Sequence, residues 1–314
     1  MTRRATQECR SAEENRGENL AKIAIIGLGR VGTALGVALV RAGHDVVSAF
    51  DVDPRARERF ARAVTTSIAE RLEDSLTDPE VVLIAIPDSA VEGVSREISA
   101  SAKLKGDVSV GHTSGALGSE VLRDLKSRGC PTFSMHPIQT FSSIDSGVNA
   151  IPGSYFGIEG HPAAVRVVEE IVTSIGGKPV FINSGTKALY HAALSAASNF
   201  LVTLLDQAVG LCEAAGIERE KALKVMLPLV RTTLANFEES GAGALTGPIE
   251  RGEGDTLKRH VEAIAELKPD LLSTYLALAR ATVVTAREKG SITEKQARVF
   301  LKTLQSVDNR APQV

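Results

Sequence analysis

Along the first 185 residues, short apolar runs alternate with longer segments of mixed polarity. The runs are Ile23–Ile26, Val46–Phe50, Val81–Ile86, Asp107–Val110, Thr132–Met135, Ser154–Ile158 and Pro179–Ile182. Each stops at a glycine, a proline or a polar residue, as strands do. The intervening segments Val31–Val40, Arg55–Ala63, the residues after Pro87, Gly118–Arg128 and Pro162–Ile175 read as helices. Strand and helix in regular alternation predict an α/β layer with a mostly parallel, doubly wound sheet. Val81–Ile86 is apolar throughout, as a central strand covered on both faces must be. Residues 138–153 are polar and contain glycine, so they read as a loop.

From Thr186 the strand pattern ends and the chain reads as helical. The segment from Thr186 to Ala215 is rich in Ala, Leu and Val and is expected to form one long buried helix. Glu218–Glu239 follows, with Pro228 expected to kink it. Asp255–Leu267, Asp270–Lys289 and Thr293 to about Ser306 complete the set, with Asp255 and Thr293 as expected N-caps. This divides the chain into a polar, disordered tail (1–19), an α/β domain (20–184) and an all-helical domain (185–314), with a further polar tail from Asp308.

One stretch in the first domain carries a specific chemistry. Ile23–Ile26 runs into Gly27-Leu28-Gly29-Arg30-Val31-Gly32 and then into a helix. A GxGxxG pattern between strand and helix is the dinucleotide-binding fingerprint of the Rossmann fold. The first glycine allows the tight turn, the second lets a pyrophosphate approach the backbone, and the third lets helix and strand pack closely. The free N–H groups of the helix N-terminus face the phosphates. Asp51 follows the second strand, 19 residues after Gly32 (51 − 32), near the spacing of the acid that holds ribose hydroxyls. Asp51 argues for NAD, since a carboxylate repels a 2′-phosphate. Arg55 and Arg57 lie near enough to accommodate NADP, or simply form a solvated helix face.

Ligands sit at the carboxyl ends of strands in such sheets. Ile86, Pro87 and Asp88 therefore border the cofactor, although Asp88 or Ser89 serves equally well as a helix cap. The next two strands end in Gly111-His112-Thr113-Ser114-Gly115 and in His136-Pro137, which gather two imidazoles and two hydroxyls on one rim. Thr113 is expected beside the cofactor, His136 as general acid or base with a pKa near neutrality, and Ser114 on the reacting oxygen. In the helical domain, Lys187, His191, Ser195 and Asn199 recur every four residues and share a helix face. Burying such a polar stripe costs free energy unless it is paired, so it is either a site or an internal network. Arg251, in the rigid turn Leu245–Gly252, either holds an anionic group or belongs to a plain connector.

Composition narrows the field. The net charge of −2 gives no electrostatic case for nucleic acid or an anionic membrane, and the absence of tryptophan weakens any base-stacking platform. No uninterrupted apolar stretch is long enough to cross a bilayer. The N-terminal residues lack the apolar core of a secretory signal. Cys9, Cys130 and Cys212 have neither metal-ligand spacing nor a disulfide pattern, which points to a reducing cytoplasm.

The order of glycine loop, sheet and small-residue helix resembles the superfamily of 6-phosphogluconate and β-hydroxyacid dehydrogenases, pyrroline-5-carboxylate reductase and prephenate dehydrogenase. Within it, the strings IAIPDSAV, GHTSGALGSEVL, SMHPIQTF, YFGIEG, SAASNFL and ALTGPIERG look like one bacterial family of NAD(P)-dependent oxidoreductases with a C-terminal domain of unknown function. The resemblance covers about residues 20–305 and implies a homodimer formed through the helical domain. His136-Pro137 resembles the histidine-proline of prephenate dehydrogenases, where the histidine is catalytic, and Ser114 sits near the place of their active-site serine. The chain continues Ile138-Gln139-Thr140 where those enzymes have methionine-alanine-glycine. Lys187 and Asn199 resemble the lysine and asparagine of β-hydroxyacid dehydrogenases, but lie three turns apart instead of one. Together these features lead to an enzyme that transfers hydride between a nicotinamide cofactor and a small hydroxy, keto or imino acid. His136, Ser114, Lys187 and His191 would be catalytic, with Asn199 and Arg251 on the substrate. The alternative from another class is a dinucleotide sensor without hydride transfer.

Overall fold

The computed structural model describes residues 21–308. The tail expected at 1–19, Cys9 and the end of the polar C-terminal tail lie outside these residues. The chain divides into two compact units, one up to Ala197 and one from Ser198. The sheet unit thus extends past the expected boundary at 184, because Lys187, Tyr190 and His191 pack against it.

The first unit holds an eight-stranded sheet: β1 (Lys22–Ile26), β2 (Asp45–Phe50), β3 (Ser67–Ile68), β4 (Val81–Ile84), β5 (Ser109–His112), β6 (Thr132–Pro137), β7 (Tyr155–Gly160) and β8 (Lys178–Phe181). Their order is β3-β2-β1-β4-β5-β6-β7-β8, and every pair is parallel except β6 with β7. The order reverses between β1 and β4, which makes their carboxyl ends the switch point where this architecture receives ligands. Helices α1 (Arg30–Arg41), α2 (Pro54–Ala63), α3 (Asp88–Ala100), α4 (Arg123–Ser127), α5 (Ile144–Ala150), α6 (Pro162–Ser174) and α7 (Lys187–Ala197) belong to the same unit. One face of the sheet packs Ile23, Ile25, Leu35, Leu39 and Phe60, and the other Ala24, Ile26, Val91, Ile98 and Leu122. That two-sided burial is what the apolar runs predict.

Several elements differ from the sequence reading. β3 was not foreseen, because two residues leave no periodicity to detect. The expected loop at 138–153 contains α5, started by a capping box in which Ser143 and Ser146 bond each other's backbone N–H. The Gly118–Arg128 helix begins as a 3₁₀ turn at Ser119–Leu122 before α4. β5 extends to His112 and β6 through His136.

The second unit contains α8 (Asn199–Ala214), α9 (Arg219–Ser240), α10 (Gly254–Leu267), α11 (Leu272–Glu288) and α12 (Glu294–Asp308). Its core joins Leu257 and Val261 of α10, Leu276 and Val283 of α11, and Phe300 and Leu304 of α12. Thr293 caps α12 as expected, exchanging backbone bonds with the Gln296 side chain. Asp255 does not cap α10; Glu253 holds that position and Asp255 sits in the first turn. α9 runs unbroken through Pro228.

The long buried helix expected from Thr186 is also corrected. The backbone breaks at Ser198 (φ −117°, ψ −69°), separating α7 from α8. Much of its apolar surface faces outward in the single chain, with Leu189, Phe200 and Val202 all exposed. By length and composition alone, Ser184–Ala214 would suffice to cross a bilayer, which the sequence reading did not anticipate.

Candidate active site

The glycine loop has the geometry that its motif predicts. Gly27 has φ +95°, and a Cβ there would come within 2.5 Å of Ile86 Cγ2. At Gly32 a Cβ would overlap the Gly27 carbonyl oxygen, so only glycine lets α1 start this close to β1. A Cβ at Gly29 would meet nothing within 4 Å. Its missing side chain leaves open space above the backbone. No side chain caps α1, so its first N–H groups point outward without a side-chain partner. Arg30 and Val31 begin that helix, and Arg30 reaches the Phe141 carbonyl oxygen.

A cavity of about 780 Å³ opens beside this loop, lined by Gly27, Gly29, Asp51, Ile86 and Pro87 together with Leu72, Leu76 and Val94. Its size suits a ligand of several rings. Asp51 reaches it while also bonding the protein: one carboxylate oxygen accepts the Leu28 N–H (2.7 Å) and the other the Asp53 N–H (2.8 Å). The acid thus ties the glycine loop to the end of β2. Arg57 donates to the Asp51 carbonyl oxygen at 2.6 Å, and Arg55 is exposed. Asp88 is the first residue of α3 and neither it nor Ser89 caps the helix, whose N-cap is Pro87. The open cradle, the uncapped helix and the adjoining cavity fit a dinucleotide. Sequence reasoning missed Arg71, Leu72, Leu76 and Val94 as cavity lining, because nothing local marks a 3₁₀ turn or a helix face as facing a ligand.

The second cluster lies where β5 and β6 end and α7 crosses them. His136 Nδ1 is 3.0 Å from the Tyr190 hydroxyl, and their rings meet edge to face. His191 stands against His136 from the same helix, with ring centroids 5.9 Å apart. Both imidazoles rest on Gly115, where a Cβ would lie 2.9 Å from His136 Nε2 and 3.0 Å from His191 Cδ2. Beneath them Lys187, only 2% exposed, donates to the Ser134 hydroxyl (2.9 Å) and the Ser114 carbonyl oxygen (3.2 Å). Its ammonium also lies 5.4 Å from the centre of the Tyr190 ring. Glu159, buried on β7, accepts from the Ser119 N–H and hydroxyl and from the Ser184 hydroxyl.

Burial sets the charge states here. His136 is pushed down to about 4 by desolvation, helped by the Lys187 and His191 charges, so it is a neutral imidazole at pH 7 and not the near-neutral titrating group that the sequence suggested. Burial likewise lowers Lys187 and pushes Tyr190 up to about 12.

The other predicted site residues are distributed unevenly. His112 is fully buried within β5, with Nε2 on the Gly118 carbonyl oxygen and Nδ1 accepting the Ser114 N–H. It organises the loop from below instead of reaching the rim. The Ser114 hydroxyl accepts the N–H groups of Ala116 and Leu117, shaping that same loop. Thr113 is half-buried beside the end of β4, its N–H on the Ile84 carbonyl oxygen. Lys187, His191 and Ser195 belong to α7, whereas Asn199 opens α8 in the second unit. Arg251, also in the second unit, is exposed and forks onto Glu253 (2.6 Å). Tyr190, Ser134 and Glu159 escaped the sequence reading. Tyr190 falls one position off the four-residue stripe, and the other two sit inside strands that otherwise read as apolar.

Family-level comparison assigns residues 8–137 to a Rossmann-like domain and residues 154–282 to a domain of unknown function, DUF2520. No curated protein matches the sequence. Among solved structures, a Bacteroides fragilis protein provisionally named an NADP oxidoreductase is 21% identical, with a TM-score of 0.66 over 83% of this chain and 97% of that one. A reductive aminase from Aspergillus terreus, solved with NADPH and ethyl levulinate, is 15% identical (TM-score 0.57, 93% and 95% covered). A pyrroline-5-carboxylate reductase from Coxiella burnetii is also 15% identical (TM-score 0.55, 93% and 98% covered). At these identities the likeness is one of fold.

Proposed function

The chain joins a Rossmann-like domain to a DUF2520 domain, and from that pairing we propose that it is an NAD(P)-dependent oxidoreductase acting on a small hydroxy, keto or imino acid. The observation that carries the reading is the company kept on one sheet edge. An open glycine cradle with its cavity lies at the carboxyl ends of β1 and β4, and a neutral His136 flanked by Tyr190 and His191 lies at the carboxyl end of β6, on the same side of the sheet with β5 between them. Gly27–Gly32 and the start of α1 would hold the pyrophosphate, Asp51 a ribose, and Ile86, Pro87 and Thr113 the inner end. The nicotinamide supplies or accepts the hydride. His136 holds a proton against the substrate's reacting oxygen or nitrogen, and as a neutral ring it does so without placing a full charge in a dry site. His191 flanks it. Lys187 and Ser114 act from beneath by holding the rim loop in shape.

NAD is the preferred cofactor in this reading, because Asp51 keeps a carboxylate at the ribose position. The protein is a cytoplasmic homodimer: α9 has 22 residues but buries only Ala222, leaving Val225, Leu229 and Phe237 outward, a face that a second copy would cover. Titration with NADH and NADPH, followed by a panel of hydroxy, keto and imino acids, tests the function. Binding of neither dinucleotide would end it. Binding without turnover across the panel would favour a dinucleotide sensor.

A further inference from the structure

Tyr190 gives His136 a direction. A phenol has one proton and donates it well, and a buried hydroxyl needs a partner. Among the described residues, the hydrogen-bond partner of this hydroxyl is His136 Nδ1, at 3.0 Å. Gly157 makes the contact possible, since a Cβ at that position would collide with the Tyr190 hydroxyl. The two ring nitrogens of His136 then have different surroundings. Nδ1 faces Tyr190, while the Nε2 edge faces Gly115, with His191 close by.

We propose that Tyr190 is a positioning residue that donates its hydroxyl proton to His136 Nδ1 and so holds the imidazole in the Nε2–H form, with its single N–H turned toward the rim. The proposal rests on the reading above that His136 serves the reacting atom, and it adds which nitrogen does so and what selects it. The groups facing His136 that carry charge or titrate are Lys187, Tyr190 and His191, all on α7. The positions that face it from the loop after β5 and from β7 are the glycines Gly115 and Gly157. Tyr190 is therefore the hydroxyl placed to set the tautomer. A bond accepted at Nδ1 is available only to the neutral ring, so it also works against protonation.

Long-range ¹H–¹⁵N correlation spectra of the full-length protein test this at pH 7, with the His136 signals assigned by loss in His136→Asn. The wild type is expected to show an unprotonated Nδ1 and a protonated Nε2. In Tyr190→Phe the Nδ1–H form should gain about fivefold relative to Nε2–H, the factor set by the net worth of one hydrogen bond. The pH at which His136 protonates should rise by about 0.7, the logarithm of that factor. A protonated Nδ1 in the wild type overturns the proposal without any variant. So does a Tyr190→Phe protein whose tautomer ratio and titration match the wild type. These readouts do not depend on turnover. The expected spectra in a protein that binds no dinucleotide would refute the enzymatic reading while leaving the Tyr190 assignment intact.

Discussion

A methyl group placed at either of two glycines should separate the fold from its ligand. Gly29 has extended backbone angles (φ −69°, ψ −164°) that alanine adopts freely, and its Cβ would touch nothing within 4 Å. Gly29→Ala weakens the N-cap of α1 by at most ~1 kcal/mol. It recovers roughly 0.4–1 kcal/mol by restricting the unfolded chain. The unliganded protein should therefore melt within about 3 °C of wild type. The cofactor has no such tolerance. The methyl occupies the space through which a pyrophosphate would reach the N–H groups of the loop, and losing one or two charge-assisted bonds costs about 1.5–3 kcal/mol each. Kd for the dinucleotide should rise at least about tenfold. Gly32→Ala is the converse. Its Cβ would overlap the Gly27 carbonyl oxygen, so it should lower the melting temperature or the soluble yield before binding is considered. Differential scanning calorimetry and isothermal titration with NADH and NADPH read both quantities. A Gly29→Ala protein with wild-type affinity for both dinucleotides would show that the pyrophosphate is not seated here.

Other expectations bear on the rim and on assembly. His136→Ala should lower turnover by at least about a hundredfold, in line with loss of a general acid or base, with cofactor affinity nearly unchanged; retained turnover removes His136 from the chemistry. Because His136 is depressed from 6.5 to about 4, the unfolded chain takes up a proton below pH 6.5 that the native ring refuses until about pH 4. Its contribution to stability is thus complete above 6.5 and lost as the pH falls through that window, to a total of about 3 kcal/mol. Urea unfolding from pH 7 to 4.5 should show His136→Gln losing less stability than wild type, and parallel curves would contradict the assigned burial. Leu229→Asp, on the outward face of α9, should convert a dimer to a monomer in light scattering, whereas an unchanged mass would place any interface elsewhere.

Much of the fold was legible because its causes are local. The apolar runs at Ile23–Ile26 and Val81–Ile86 mark strands buried on both faces, and Gly27 and Gly32 each meet a steric demand of the fold that only glycine satisfies, while Gly29 leaves open space above the loop. The misses share a different cause. His112 and His136 look equivalent in sequence, each near a strand end, yet they lie in different environments. Two extra strand residues place His112 between Ile84 and Ser134 in the sheet, while His136 is two positions further along its strand, where Gly115 and Gly157 leave room for other rings. Of the Lys187 stripe, Lys187, His191 and Ser195 share α7, but the break at Ser198 leaves Asn199 on α8, and only Lys187 is fully buried.

By itself, the sequence determined the α/β-then-helical order, the seat of the glycine loop and the strand ends that form one edge, since periodicity, turn sterics and strand polarity act over neighbouring residues. Only the tertiary structure decided that Lys187 lies beneath the rim, that Tyr190 faces Nδ1 of His136 and that His136 is neutral. Those outcomes depend on how far α7 crosses the sheet and on desolvation by residues distant in the chain, and no local pattern encodes either.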